Sequence, residues 1–297
     1  MRFSPLDRAL AARILQRWQV GDLPESPSRR LDLLHAACLR RVPFENLTKL
    51  IHRATAPTIE AARRPAPVFW REHLEMGAGG TCFSTTEAFG QLLAAVDLEA
   101  RPIFCHLRAE RRHAHVALIV ETEHGPRLCD TGYALAAPMP LPGRLAVRRK
   151  TRHYEMELRP GVDGEHLLFL EDWKGRRFRY QFRDVEITPE QWFGAWDDSL
   201  APGAVYMNRL ALGRFGVAVR WILHPDNRVM VLARRGERAI VLPGDERAAD
   251  RRLARLFQVP EMMLAGARKV LRDGLSSTAA ELPATPYLAT TTRRATT

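Results

Sequence analysis

Lysine is scarce in this chain. It stands only at positions 49, 150, 174 and 269, and arginine supplies nearly all of the positive charge behind a formal net charge of +11. Arginine bias of this kind fits a GC-rich genome, and no nucleic-acid-binding module accompanies it, so nucleic acid is not expected as a partner. Cysteine is sparse too. Cys38, Cys82, Cys105 and Cys129 form no CxxC pair, which argues against a zinc site and against a disulfide framework. A reducing, cytoplasmic setting is expected. No apolar run reaches the roughly eighteen residues that span a bilayer. The first twenty residues lack a signal-peptide core and read instead as an amphipathic helix around Leu10, Ile14, Leu15 and Trp18. No membrane association is expected. Gly77-Ala78-Gly79-Gly80 has neither dinucleotide-loop spacing nor the lysine of a P-loop. There is no internal repeat.

What is present centres on Cys82. It follows the glycine-rich run Gly77-Ala78-Gly79-Gly80-Thr81 and opens a stretch in which Phe89, Leu92, Leu93 and Val96 keep helical spacing. The spacing predicts a helix beginning at or just after Cys82. A thiol there feels the positive end of the helix dipole, which favours the thiolate. His115 and Asp130 follow in strand-like stretches. Cysteine, histidine and aspartate are together the groups of a cysteine-based acyl-transfer site. Taken singly, each has a plainer reading: an inert buried thiol, a core histidine, a turn residue before Thr131-Gly132. His113 and His115 form an HxH pair without an evident third ligand, so no metal is expected.

With 297 residues and 46% hydrophobic content, the chain suffices for two or three modules. Residues 1–97 read as a helical bundle carrying the cysteine, with helices expected near Ser4–Asp7 onward, Ser28–Arg41, Thr58–Arg63 and Pro67–Met76. Residues 98–204 read as a β-barrel carrying His115 and Asp130. Its strands are expected at Arg101–Arg108, His115–Glu121, Pro126–Asp130, Thr151–Arg159, Glu165–Leu170 and Phe178–Phe182. Residues 205–275 read as an α/β lid, with a hairpin around Pro225-Asp226-Asn227, a strand at Ala239–Leu242 and helices at Asp245–Phe257 and Pro260–Arg272. Residues 276–297, rich in Ser, Thr, Ala and Pro, are expected to be disordered. Trp192, Phe193 and Trp196 read as core or lid packing.

Several segments carry a resemblance. Arg41-Val42-Pro43-Phe44-Glu45-Asn46-Leu47 resembles the VPFEN segment of the arylamine N-acetyltransferase family, and Gly79-Gly80-Thr81-Cys82-Phe83 its RGGxC motif. His115-Val-Ala-Leu-Ile-Val resembles its histidine strand. Cys129-Asp130-Thr131-Gly132-Tyr133 resembles its DVGF segment, followed by the proline-rich Pro138–Leu141. The resemblance spans about residues 5 to 275. It implies an α+β, papain-like cysteine-transferase architecture with helical bundle, β-barrel and α/β lid. It also implies ping-pong chemistry: acetyl-CoA or another acyl-CoA acylates Cys82, and an aromatic amine or hydrazine then takes the acyl group. Phe44 and Tyr133 are implied on the acceptor side, and Thr131 and Gly132 on the CoA side.

Two positions depart from the family pattern. Ala78 replaces the arginine that in the family pairs with the glutamate equivalent to Glu45, and Ser84 replaces a glutamate. Glu45 is then either without a partner or paired with another arginine, for which Arg41 and Arg71 are the candidates. The departures leave three other readings beside acetyl transfer: an amide synthase of macrolactam type moving a biosynthetic acyl chain, a cysteine hydrolase, and a catalytically weakened binding protein.

Overall fold

The computed structural model describes residues 1–107, 115–132 and 135–273. The chain begins with helices α1 (Arg8–Trp18) and α2 (Pro27–Arg41). Asp7 caps α1 by accepting from Leu10 N at 2.9 Å, and Ser26 caps α2. A two-residue strand β1 (Phe44–Glu45), α3 (Leu47–Thr55), α4 (Ala66–Met76) and α5 (Cys82–Ala94) follow. The helix expected over Thr58–Arg63 is only a single 3-10 turn at Glu60–Ala62.

Next come β2 (Ala100–His106), β3 (His115–Val120), β4 (Arg127–Cys129), β5 (Met139–Pro140), β6 (Val147–Lys150), β7 (Glu155–Pro160), β8 (Glu165–Asp172) and β9 (Gly175–Arg183). These eight form one antiparallel sheet in the order β5-β4-β3-β2-β9-β8-β7-β6. Its two end strands lie against each other, so the sheet is a nearly closed barrel. The strand expected from Thr151 starts at Glu155, because Thr151 Oγ1 instead closes a turn on Tyr154 O at 2.7 Å.

Helix α6 (Pro189–Leu200) carries Trp192 and Trp196 and opens with a capping box from Thr188 and Gln191. Strands β10 (Leu212–Phe215), β11 (Val219–Leu223), β12 (Arg228–Ala233) and β13 (Gly236–Val241) make a second sheet in the order β1-β10-β11-β12-β13. Helices α7 (Glu246–Phe257) and α8 (Glu261–Asp273) follow. The expected hairpin turns at Asn227, which takes φ 60°. The expected disordered tail lies outside the described residues. Among those described, no helix is long and apolar enough to cross a membrane.

Strand β3 explains how the layers meet. Every residue from His115 to Val120 is buried. Val116, Leu118 and Val120 join the helical core with Phe83, Phe89 and Leu92, while Ala117 and Ile119 face the barrel core with Tyr180 and Phe182. A strand covered on both faces reads as a continuous apolar run. Trp192 and Trp196 pack on Phe83 in the helical core, at ring distances of 5.2 and 6.0 Å. Leu47 and Leu50 of α3 join a third core with α7 and α8.

Candidate active site

The loop between α4 and α5 sets the position of Cys82. Gly77, at φ 75°, closes α4. Gly79 then passes so close to the preceding segment that a Cβ would fall 1.7 Å from the Pro43 carbonyl oxygen. Gly80 N donates to Pro43 O, and Glu45 N donates to Gly80 O at 3.2 Å. Thr81 is the extended N-cap, and Cys82 is the first residue of α5. The thiol is half-buried. Cys38, Cys105 and Cys129 are buried, and burial pushes their thiols up. Cys82 alone among the four is exposed enough to meet a reagent.

His115 heads β3 and Asp130 follows β4, and the two strands pair with Leu118 opposite Cys129. His115 Nε2 and Asp130 Oδ2 are 2.8 Å apart. The hydroxyl of Tyr180, on β9, donates to the same carboxylate oxygen at 2.9 Å. The His115 ring also hydrogen-bonds Cys82. Burial pulls the pKa of His115 down, but Asp130 and then Cys82 outweigh it and raise it well above the usual 6.5. Three residues 48 positions apart at their extremes are thus joined in one hydrogen-bonded chain, from thiol to imidazole to carboxylate.

Gly132 lies directly against this group. A Cβ on it would be 2.8 Å from Cys82 Cα and 3.4 Å from His115 Cε1. Thr131, beside it, is buried. Phe44 is half-buried on β1, bridged to Gly80 and paired with Gly213. Its ring meets Tyr206 edge-on at 5.3 Å. Tyr206 holds φ 69°, and Asn46 Nδ2 donates to its carbonyl at 2.7 Å. Lys49, on α3, donates to Val205 O at 3.5 Å; burial lowers its pKa to about 8, and the nearby Cys82 pulls it back up. Tyr133 and His113 lie outside the described residues. Among those described, no group of three His, Cys, Asp or Glu could hold a metal.

Neither candidate arginine bonds Glu45. Arg41 bonds Gln19, and Arg71 bonds the Pro67 carbonyl. Glu45 instead accepts from Thr48 N at 2.9 Å and Thr48 Oγ1 at 2.7 Å, at the start of α3. The guanidinium in this region is Arg64, which bonds Thr48 Oγ1 at 3.0 Å and forms an ion pair with Glu72. Arg64, Tyr180 and Tyr206 escape sequence reading because their links to the site span 15, 50 and 162 residues, beyond any local periodicity.

No protein-family model matches the chain, and no curated protein matches it in sequence. Solved structures do. An arylamine N-acetyltransferase of Mycobacterium smegmatis superposes with a TM-score of 0.74 at 21% identity, covering 89% of this chain and 97% of that one. The enzyme from Salmonella typhimurium gives 0.75 at 18% identity, over 90% and 99% of the two chains. The Mycobacterium marinum enzyme in complex with CoA gives 0.73 at 19% identity, over 88% and 99%. The protein therefore has the α+β fold of the arylamine N-acetyltransferases along nearly its whole described length.

Proposed function

We propose that this protein is an acyl-CoA-dependent N-acyltransferase working by ping-pong through a thioester on Cys82. The observation that carries the reading is the half-buried Cys82 thiol at the start of α5, beside an imidazole that holds a buried carboxylate. The fold, shared with enzymes of that activity, supports it.

The steps follow from the geometry. His115 takes the Cys82 proton, and the thiolate attacks the thioester carbonyl carbon. Asp130 holds the imidazole tautomer and stabilises the imidazolium. Thr81 leaves the α5 N-terminus without a side-chain cap, so backbone N–H groups there are available to the tetrahedral oxyanion. CoA departs as a thiolate and takes the proton from His115. An aromatic amine or hydrazine then attacks the acyl-cysteine, gives a proton to His115, and Cys82 leaves. Phe44 and Tyr206 offer an aromatic wall for that acceptor, with Tyr133 assigned to the same side. Thr131 and Gly132 flank the approach of the CoA arm.

Intact mass after incubation with acetyl-CoA tests this directly. The parent should gain one acetyl group that Cys82→Ala does not, and an aromatic amine should remove it with formation of the amide. Discharge by water at the same rate without amine would make the protein a hydrolase. An unlabelled parent with acetyl-CoA and with longer acyl-CoA thioesters would defeat the reading.

A further inference from the structure

Four successive carbonyls lead into Cys82, and each has its own donor. His73 Nδ1 donates to Ala78 O at 3.0 Å, Arg64 Nη1 to Gly79 O at 2.5 Å, Glu45 N to Gly80 O at 3.2 Å and Ser84 Oγ to Thr81 O at 3.2 Å. The His73 tautomer follows from Trp18, whose Nε1–H donates to His73 Nε2 and leaves Nδ1 to carry the proton. Arg64 is the charged donor of the set. The peptide between Gly79 and Gly80 is held from both sides, because Gly80 N donates to Pro43 O while Gly79 O accepts from Arg64. A glycine pair has wide conformational freedom. Fixing the plane of that peptide fixes where Thr81 turns and where α5 begins.

Arg64 is 4% exposed and is itself held on three sides: by Glu72, by Thr48 Oγ1 and by the face of Phe69, 4.6 Å from the ring centre. Glu72 is in turn bonded to His52 at 2.8 Å. Among the described residues Arg64 Nη2 has no partner. A buried guanidinium with an unpaired N–H is a poor device for stability alone. What its placement achieves is a charge-assisted bond to the loop that carries the thiol.

We infer that Arg64 is a positioning residue for Cys82, gripping the Gly79 carbonyl from outside the glycine loop and so setting the thiol against His115. This rests on the acyltransferase reading, in which Cys82 reacts. Arg64 touches neither the thiol nor any reacting atom. A misplacement of about 1 Å at a reacting group lowers rates by up to roughly a hundredfold. Lysine cannot replace the fork, since one ammonium cannot meet Gly79 O, Thr48 and Glu72 with planar, preset donors.

The test is the rate of Cys82 alkylation by iodoacetamide, followed by mass over a range of pH. It is run on the parent, Arg64→Ala, Arg64→Lys, and Arg64→Ala with ethylguanidinium added. Arg64→Ala should lose on the order of tenfold to a hundredfold in rate at neutral pH. Its pH profile should be displaced, and ethylguanidinium should recover part of the loss. Arg64→Lys should fall between. Parent-like rates and profiles in both variants would overturn the inference. So would a slow Arg64→Ala with an undisplaced profile and no recovery, which would leave Arg64 a structural ion pair with Glu72. If Arg64→Ala does not fold, judged by circular dichroism, Arg64→Lys decides: a displaced profile supports the inference and a parent-like one overturns it. An inert Cys82 in the parent would overturn the acyltransferase reading and this inference with it. A reactive parent beside parent-like variants overturns this inference alone.

Discussion

Gly132 is packed against Cys82 so closely that a Cβ on it would fall 2.8 Å from the Cys82 Cα and 2.9 Å from its Cβ. Real Cβ atoms do not tolerate such contacts with backbone, so the loop after Asp130 and the start of α5 fit together only while position 132 has no side chain. Gly132→Ala should force Cys82 and His115 apart. The expected result is a loss of about 1–3 kcal/mol in stability from overpacking, together with slowed acylation of Cys82. Urea unfolding and intact-mass kinetics would check both. Unchanged acylation would show that the loop yields without moving the thiol.

Tyr180 donates to the carboxylate oxygen that also holds His115. Tyr180→Phe removes a hydrogen bond to a buried charged group, which costs about 1.5–3 kcal/mol. Chemical denaturation should show a loss of that order. Acylation should slow less than in Asp130→Asn, which reverses the polarity of the group facing His115. Equal losses would place Tyr180 on a par with Asp130 in orienting the imidazole.

His35 and His73 contribute to the loss of stability in acid. Burial pulls each down from the usual 6.5 to about 4, against smaller opposing effects of Asp130 on His35 and of the Ala78 carbonyl on His73. Between those values the unfolded chain binds more protons than the folded one, so their stabilisation is present above 6.5 and is lost as pH falls towards 4. His115 acts with the opposite sign. Its stabilisation is complete below 6.5 and is lost as pH rises through its raised folded value. Both His35 ring nitrogens lack a hydrogen-bond partner among the described residues. His35→Leu should therefore flatten the fall in stability on the acid side without lowering stability at neutral pH. Thermal melts at several pH values would show it; an unchanged acid slope would contradict the assignment.

If Phe44 and Tyr206 wall the acceptor site as proposed, changing them separates acceptor binding from acylation. Tyr206→Gly removes the ring while suiting the positive φ of 69° at that position. Loss of an aromatic contact worth about 0.5–1.5 kcal/mol should raise KM for an aromatic amine roughly threefold to tenfold. The rate of acetyl-enzyme formation should stay as in the parent. A slower acylation with unchanged KM would move Tyr206 to the donor side.

Local chemistry makes much of this protein legible in its sequence. The Ser4–Asp7 start announces α1, the apolar run over Ser28–Arg41 announces α2, which begins at Pro27 under a Ser26 cap, and the apolar spacing after Cys82 announces α5. The strand expected over Phe178–Phe182 lies within β9. The helix α3 and the strands β1 and β10 were not legible. Strand β1 has two residues and exists only because β10 pairs with it, and α3 is held by its packing on α8. Helix α6 was read only as a cluster of aromatic side chains, although Thr188, Pro189 and Gln191 carry a capping box at its start.

By itself the sequence determined the identity and order of Cys82, His115 and Asp130, the glycines that let backbones touch, and those helices and strands whose caps and periodicity are local. Those properties depend on neighbours within a few residues, where propensity, capping and periodicity act. Only the tertiary structure decided which arginine holds the cysteine loop, which tyrosine steadies Asp130 and which ring faces Phe44. The partners are brought together by packing between elements far apart in the chain, and no local pattern records it. Arg64 shows the difference plainly. Arg41 and Arg71 are the sequence candidates for Glu45, yet neither bonds it, and the guanidinium that reaches the cysteine loop is that of residue 64, received by Glu72 and the face of Phe69.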